Sequence, residues 1–424
     1  MSERLPCKNS NCKGTILPTT ANKTGGYCMP CLQAIKKKEY DEYIKKNRKD
    51  VNLYEGIQDK VEIIKIMNTP LKYDPLINYI KYEKSLEDIY SSITMEDVLR
   101  LKKYVLELIE EDNFDKAEDI LLPLVCITNA NIEECLAALT DKSHYYPGIL
   151  FKDANTDTRD KLIKKLDSDL ENQNHILYAL SWIGDQTVVS LFNSWRKNPP
   201  IWKSKLCVNP ETYSFESGWE LTNNGERRNL FYNECYPFEK SEPKDSDPVI
   251  VLQKNDETCK WCGSSFITLF DFDLKNKLLD FITFNTDRLV IATCPLCACY
   301  GVLYTQIDNN GISRWCELNQ KPAYLPEFKQ EEEYFVIENP LRLSTCKRNA
   351  YYAAKWTLGL PSSQLGGHPS WVQDAEYPIC PQCKKSMTFI GQLECADFDE
   401  YAEGIYYSFI CADCNIAATN YQQT

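Results

Sequence analysis

Between residues 57 and 197 apolar side chains recur three and four positions apart, the spacing of helices that bury one face. Thr94 and Asp97 make a capping-box start for a helix carrying Leu99, Val105, Leu106 and Ile109. Asn113 and Asp115 open a second, with Phe114, Ile120, Leu121 and Leu124, and Asp157 and Thr158 a third, with Leu162, Ile163 and Leu166. The stretch 179–185 ends in Gly184-Asp185 and runs into Val188, Leu191 and Phe192. That helix, turn, helix order has the layout of one HEAT-type solenoid unit, and with a single crisp copy an irregular helical bundle is the alternative. From Pro199-Pro200 through Gly218, Asn223-Asn224-Gly225 and the polar run 240–247 the periodicity lapses. Beyond it the pattern is that of strands, at 249–252, 266–270, 289–291, 301–305, 334–337 and 405–410. The expected architecture is α+β and multidomain. A zinc ribbon plus helix spans 1–50, a HEAT-like helical domain 51–200, an irregular connector 201–247 and a β-rich domain 248–424.

Cysteine spacing changes this picture most. Cys7 and Cys12 precede Cys28 and Cys31; Cys259 and Cys262 precede Cys294 and Cys297; Cys380 and Cys383 precede Cys411 and Cys414. Paired hooks separated by tens of residues are the spacing of a tetrahedral metal site, and three in one chain assign twelve of the 20 cysteines. A disulfide framework is the competing use of the thiols. Residues 1–13 are polar and lack the apolar core of a secretion signal, and 424 residues bury a core without covalent staples, so three Zn2+ sites in a cytoplasmic protein are expected. Each offers four thiolates and no open position, the composition of a structural zinc. In the first ribbon Gly14, Gly25 and Gly26 suit the turns of a hairpin, and 30–49 reads as a Lys-, Glu- and Tyr-rich helix. Its Lys36-Lys37-Lys38 and Lys45-Lys46 clusters suit either a solvated face or phosphate contact.

Charge narrows the partners. The formal charge is −13, and three filled four-thiolate sites would take it to roughly −19. Such a balance opposes a broad grip on nucleic acid and suits either plain solubility or a basic protein partner. With 43% apolar and 12% aromatic residues the chain is a folded one, and no run approaches the ~18 uninterrupted apolar residues of a membrane span. No phosphate-cradling loop, zinc-protease helix or nucleophile elbow occurs, so no catalytic site is expected. His144 and His175 read as ordinary loop and helix residues, and Asp271 with Asp273, or Asp397 with Asp399, as solvated turns. Cys299 and the remaining cysteines read as packed thiols.

The C-terminal sequence carries the most specific string: Gly366-Gly367-His368-Pro369-Ser370-Trp371, then Cys380-Pro381-Gln382-Cys383, then Met387-Thr388-Phe389-Ile390-Gly391-Gln392. Over 365–421 this resembles the YwqG-like family of bacterial β-rich proteins, and more distantly the programmed-cell-death-2-like zinc proteins. The first resemblance implies a β-rich domain and, since some members sit beside polymorphic toxins, an immunity protein; the second implies a dedicated binder of a ribosomal protein. Together with the acidic charge it leads to the expectation of a non-enzymatic zinc protein that occludes a basic toxin domain. A zinc-ribbon protein associated with nucleic acid or the ribosome is the alternative, and an enzyme site between the helical and β halves the third. Within the string, Gly366 and Gly367 permit positive φ. His368 and Trp371 are candidate partner contacts, against a reading in which the tryptophan is simply core-packed.

Overall fold

The computed structural model describes residues 3–328 and 337–424, so the expected strand at 334–337 lies almost wholly outside the described residues. It is a mixed helix-and-sheet protein that divides into two compact units, Met1–Ser85 and Leu86–Thr424. The division differs from the expected boundaries at 50, 200 and 247. Helices and sheet share interior contacts from residue 86 onward.

In the first unit, Leu5–Pro6 pairs antiparallel with Thr15–Ile16, and Lys49–Val51 pairs parallel with Ile77–Tyr79. A helix, Pro18–Thr24, stands between the two cysteine hooks where the glycines suggested only hairpin turns. Pro18 sits in its first turn, where a missing amide costs nothing, and Gly25 at φ 66° ends it in the left-handed region. The long helix Met29–Asn47 follows.

The second unit opens with helices whose starts the sequence encodes. Thr94 and Asp97 close a reciprocal capping box at the head of Met95–Glu110. Asn155, two residues before the expected start, caps Thr156–Lys165 through the Thr158 amide. Gly184 at φ 49° ends Gln173–Ile183, and the Asp185 carboxylate accepts from the Val188 amide to start Gln186–Lys197.

An eight-stranded antiparallel sheet forms the centre, in the order Ser313–Trp315, Leu303–Ile307, Ile416–Gln422, Ile405–Cys411, Thr388–Glu394, Gln364–Gly366, Cys235–Lys240, Leu341–Leu343. Its strand Ile405–Cys411 is apolar almost without interruption because both faces are covered. Ile405, Tyr407 and Phe409 point into one cluster with Trp371, Tyr377 and Phe389. Tyr406 and Ile410 point into the other, with Leu393, Ala417, Phe270 and Phe272. The latter two come from a three-stranded sheet of Arg288–Thr293, Ser265–Asp273 and Val249–Thr258. Each fully buried ring or aliphatic side chain contributes about 1.5–3 kcal/mol. Cys235–Lys240 belongs to the central sheet although it lies in the expected connector, since only Cys235, Tyr236 and Phe238 mark it as apolar.

The helices are tied to the segments that flank this sheet by specific bonds. Trp219 Nε1 and Ser217 Oγ both donate to the Ser181 carbonyl, at 2.8 and 2.9 Å. Asn349 Nδ2 donates to the Val125 carbonyl at 3.1 Å.

Candidate metal centres and the clefts beside the terminal string

All twelve assigned cysteines gather as the spacing implies. In each of the three sets the four Sγ atoms lie within 4.8 Å of one another. Cys12 and Cys28 are 3.7 Å apart, Cys259 and Cys297 3.7 Å, Cys262 and Cys294 3.4 Å, and Cys383 and Cys411 3.6 Å. A regular tetrahedron of sulfurs around a metal at 2.3 Å has edges of about 3.8 Å, so the donor sets fit a thiophilic ion such as zinc.

Local folding places these thiols. In the first set, Cys7 follows a strand and Cys28 caps the helix Met29–Asn47, with Cys31 in its first turn and Pro30 beside it. The Cys28 amide donates to Cys7 Sγ and the Gly14 amide to Cys12 Sγ, both at 3.3 Å, while Asn9 Nδ2 donates to Cys31 Sγ at 3.4 Å. Aimed backbone amides, first that of Cys28, lower the Cys7 thiol to about 7, toward the thiolate a metal requires. In the second set, Cys259 and Cys294 follow the ends of the two outer strands of the three-stranded sheet, and Phe266, Leu303 and Trp315 enclose them. In the third, Cys411 ends the central strand Ile405–Cys411, and the hook after Cys380 turns through Lys384 at φ 61°. The second and third sets are thus built on the same strands that form the core.

The other cysteines stay apart from these sets. Cys126 and Cys135 are wholly buried, and burial pushes both thiols up to about 12. Cys299 donates to the Pro295 carbonyl at 3.3 Å, but it, Cys207 and Cys346 are exposed, which corrects the expectation that all the remaining cysteines are packed. Asp271 accepts two bonds from Arg288, at 2.8 and 2.5 Å. His144 bonds Glu118 at 2.6 Å and stacks on Phe114, and His175 lies edge-on to Tyr146.

His368 and Trp371 are 1% and 4% exposed: both rings are interior, which corrects the expectation of surface partner contacts and agrees with the alternative of a core-packed tryptophan. Gly366 and Gly367 turn the chain inward, and the Gly367 amide is shared by the Tyr232 and Glu234 carbonyls at 2.9 and 2.8 Å. Trp371 stacks on Tyr407, with ring centres 4.8 Å apart. His368 Nδ1 lies 2.8 Å from the Pro369 carbonyl and Nε2 3.0 Å from the Glu216 carbonyl, beneath the Trp182 ring. Burial lowers this imidazole to about 4, so it is neutral at physiological pH.

Two clefts that sequence reasoning missed flank the string. One, of about 380 Å3, is lined by Ser370, Val372, Trp356, Glu394, Asp397 and Glu403 among others. The second, of about 230 Å3, is lined by Trp371, Tyr146, Tyr178, Trp182, Glu216 and Asp374 among others, and again by Trp356. Burial raises the Glu216 carboxyl to about 7. Residues gathered from positions 146 to 424 make these clefts, and no sequence motif spans such a set.

No helix among the described residues is long and apolar enough to cross a membrane. No protein-family model matches the chain, and no solved structure matches it. It is 36% identical over 429 residues, covering all of both chains, to "Uncharacterized protein YpfL" of Salmonella typhimurium. A likeness of that depth along the full length of both proteins places this chain in the YpfL family.

Proposed function

We propose that the protein is a non-enzymatic, cytoplasmic binding protein whose two units are held in shape by three structural Zn2+ ions. The observation that carries this reading is the arrangement of twelve thiols in three four-sulfur sets, each filling every tetrahedral position from the chain itself. A site so closed has no place for substrate or activated water, and its metal contributes folding free energy. The acidic balance favours a basic protein as the partner, and the YwqG-like string favours a toxin domain neutralised by occlusion. The Gly184-Asp185 helix pair fits a HEAT-type unit, whose stacked helices commonly present binding surfaces.

Metal analysis of the purified protein should return three zinc ions per chain. Affinity capture from the native host should yield one near-stoichiometric protein that survives nuclease. Substoichiometric metal, or turnover of a substrate abolished by one acidic or histidine substitution, overturns the reading.

One observation favours a second reading. The helix Met29–Asn47 buries none of its residues and exposes Lys36, Lys37, Lys38, Lys45 and Lys46, a surface suited to phosphate. Binding to RNA that weakens steeply with salt and is lost in Lys37→Glu/Lys45→Glu would establish it in place of the first.

A further inference from the structure

The clefts beside the terminal string share a wall. Trp356, 42% exposed, lines both. Between residues 370 and 373 successive side chains serve opposite sides: Ser370 and Val372 line the larger cleft, Trp371 and Gln373 the smaller. Among the described residues the larger cleft carries Glu394, Asp397 and Glu403 and no basic residue, and the smaller carries Glu216 and Asp374.

Among the described residues, the single cation lining either cleft is Lys355. Its Nζ bonds Tyr146 Oη at 3.0 Å and sits 5.1 Å from that ring's centre. An ammonium is therefore already held at the aromatic rim by the chemistry an incoming cation would use. Structural duty accounts for part of the acidity: Glu394 Oε2 accepts from the Ser362 hydroxyl at 2.7 Å, and Asp397 Oδ2 from the Ser363 amide at 3.2 Å. It does not account for Glu403 or Asp374, whose residues are exposed. Nor does it account for Ser370, which is 1% exposed, lines the larger cleft and leaves its Oγ without a hydrogen-bond partner. A buried hydroxyl in that condition costs about 1–3 kcal/mol, which a ligand polar group would relieve.

We propose that the two clefts flanking Trp356 form one groove for a basic segment of a protein partner, with lysine or arginine side chains beside the carboxylates and a backbone polar group meeting Ser370. This rests on the binding-protein reading and names its contact surface. Apolar stems of the basic residues lie against Trp356, Val372 and Ile405, and the charged heads reach Glu403 on one side and Asp374 on the other.

The test titrates the full-length protein into a fluorescein-labelled octapeptide of alternating alanine and lysine or arginine, read by anisotropy. Asp374→Asn/Glu403→Gln and Trp356→Ala should each weaken binding by about tenfold or more at an unchanged melting midpoint. Glu96→Gln/Glu107→Gln, which removes the same charge from the exposed face of a helix, should change it less than about twofold. Equal weakening by both double variants, no binding of the peptide, or equally tight binding of free spermidine overturns the groove. Capture of a stoichiometric partner that the cleft variants leave undiminished also overturns it, and leaves the binding-protein reading standing.

Discussion

At Gly366 the backbone turns through φ 65°, and an added Cβ would lie 2.0 Å from the Glu234 carbonyl oxygen. Gly366→Ala therefore combines left-handed strain with a clash against backbone that cannot yield, and should cost more than about 2 kcal/mol in urea unfolding. A loss below about 0.5 kcal/mol would mean that the turn relaxes and the string is not held this way. Glu216 sets a different constraint. Its carboxyl, raised by burial from 4.5 to about 7, binds more protons folded than unfolded between those values, so its contribution weakens stability as pH rises through 7. His368 works in the opposite sense: lowered by burial from 6.5 to about 4, it takes up a proton more readily when unfolded, and stability falls as pH drops through that window. The two slopes oppose each other, so the variant difference is the informative quantity. Glu216→Gln should raise the melting midpoint at pH 8, where the buried charge is removed, and change it little at pH 5. An equal shift at both pH values would show that the carboxyl titrates near its ordinary value.

Elements were legible where they announce themselves locally. The Thr94 box and the Gly184-Asp185 turn state helix ends in side chains that bond their own backbone, and both appear as expected. Thr94→Ala removes the acceptor for the Asp97 amide and should destabilise the second unit by about 1 kcal/mol, measured by urea unfolding followed through tryptophan emission. No measurable change would place the Met95–Glu110 helix outside the cooperative core. Strands defined by distant partners were less legible. Cys235–Lys240 carries one proline and two charges, and only its pairing with Gln364–Gly366 and Leu341–Leu343 makes it a sheet strand. The helix Pro18–Thr24 is polar apart from Pro18 and Ala21, without the apolar period that marks a helix in sequence.

Across the whole molecule, the metal sets were readable because thiolate geometry leaves few alternatives to paired hooks, whereas the clefts were not, because their walls come from segments hundreds of positions apart. The same reason explains why the string left His368 and Trp371 open between partner contact and core packing, whereas they lie under Trp182 and against Tyr407. The two compact units make the metal sets separable in experiment. All eight tryptophans, from Trp182 to Trp371, belong to the second unit, as do the Cys259 and Cys380 sets, while the first unit holds the Cys7 set alone. Cys383→Ser removes a ligand at the end of the central sheet and should lower the tryptophan-detected melting transition sharply. Cys126→Ala, a more deeply buried change without a metal role, should lower it by only a few degrees, as expected for about 1 kcal/mol in a domain of this size. Cys12→Ser should leave that transition in place while reducing far-UV helical signal, because the helix Met29–Asn47 starts on Cys28 and has no buried face of its own to hold it. A tryptophan transition that moves as far for Cys12→Ser as for Cys383→Ser would show that the two units unfold as one and that the first metal set stabilises the whole chain.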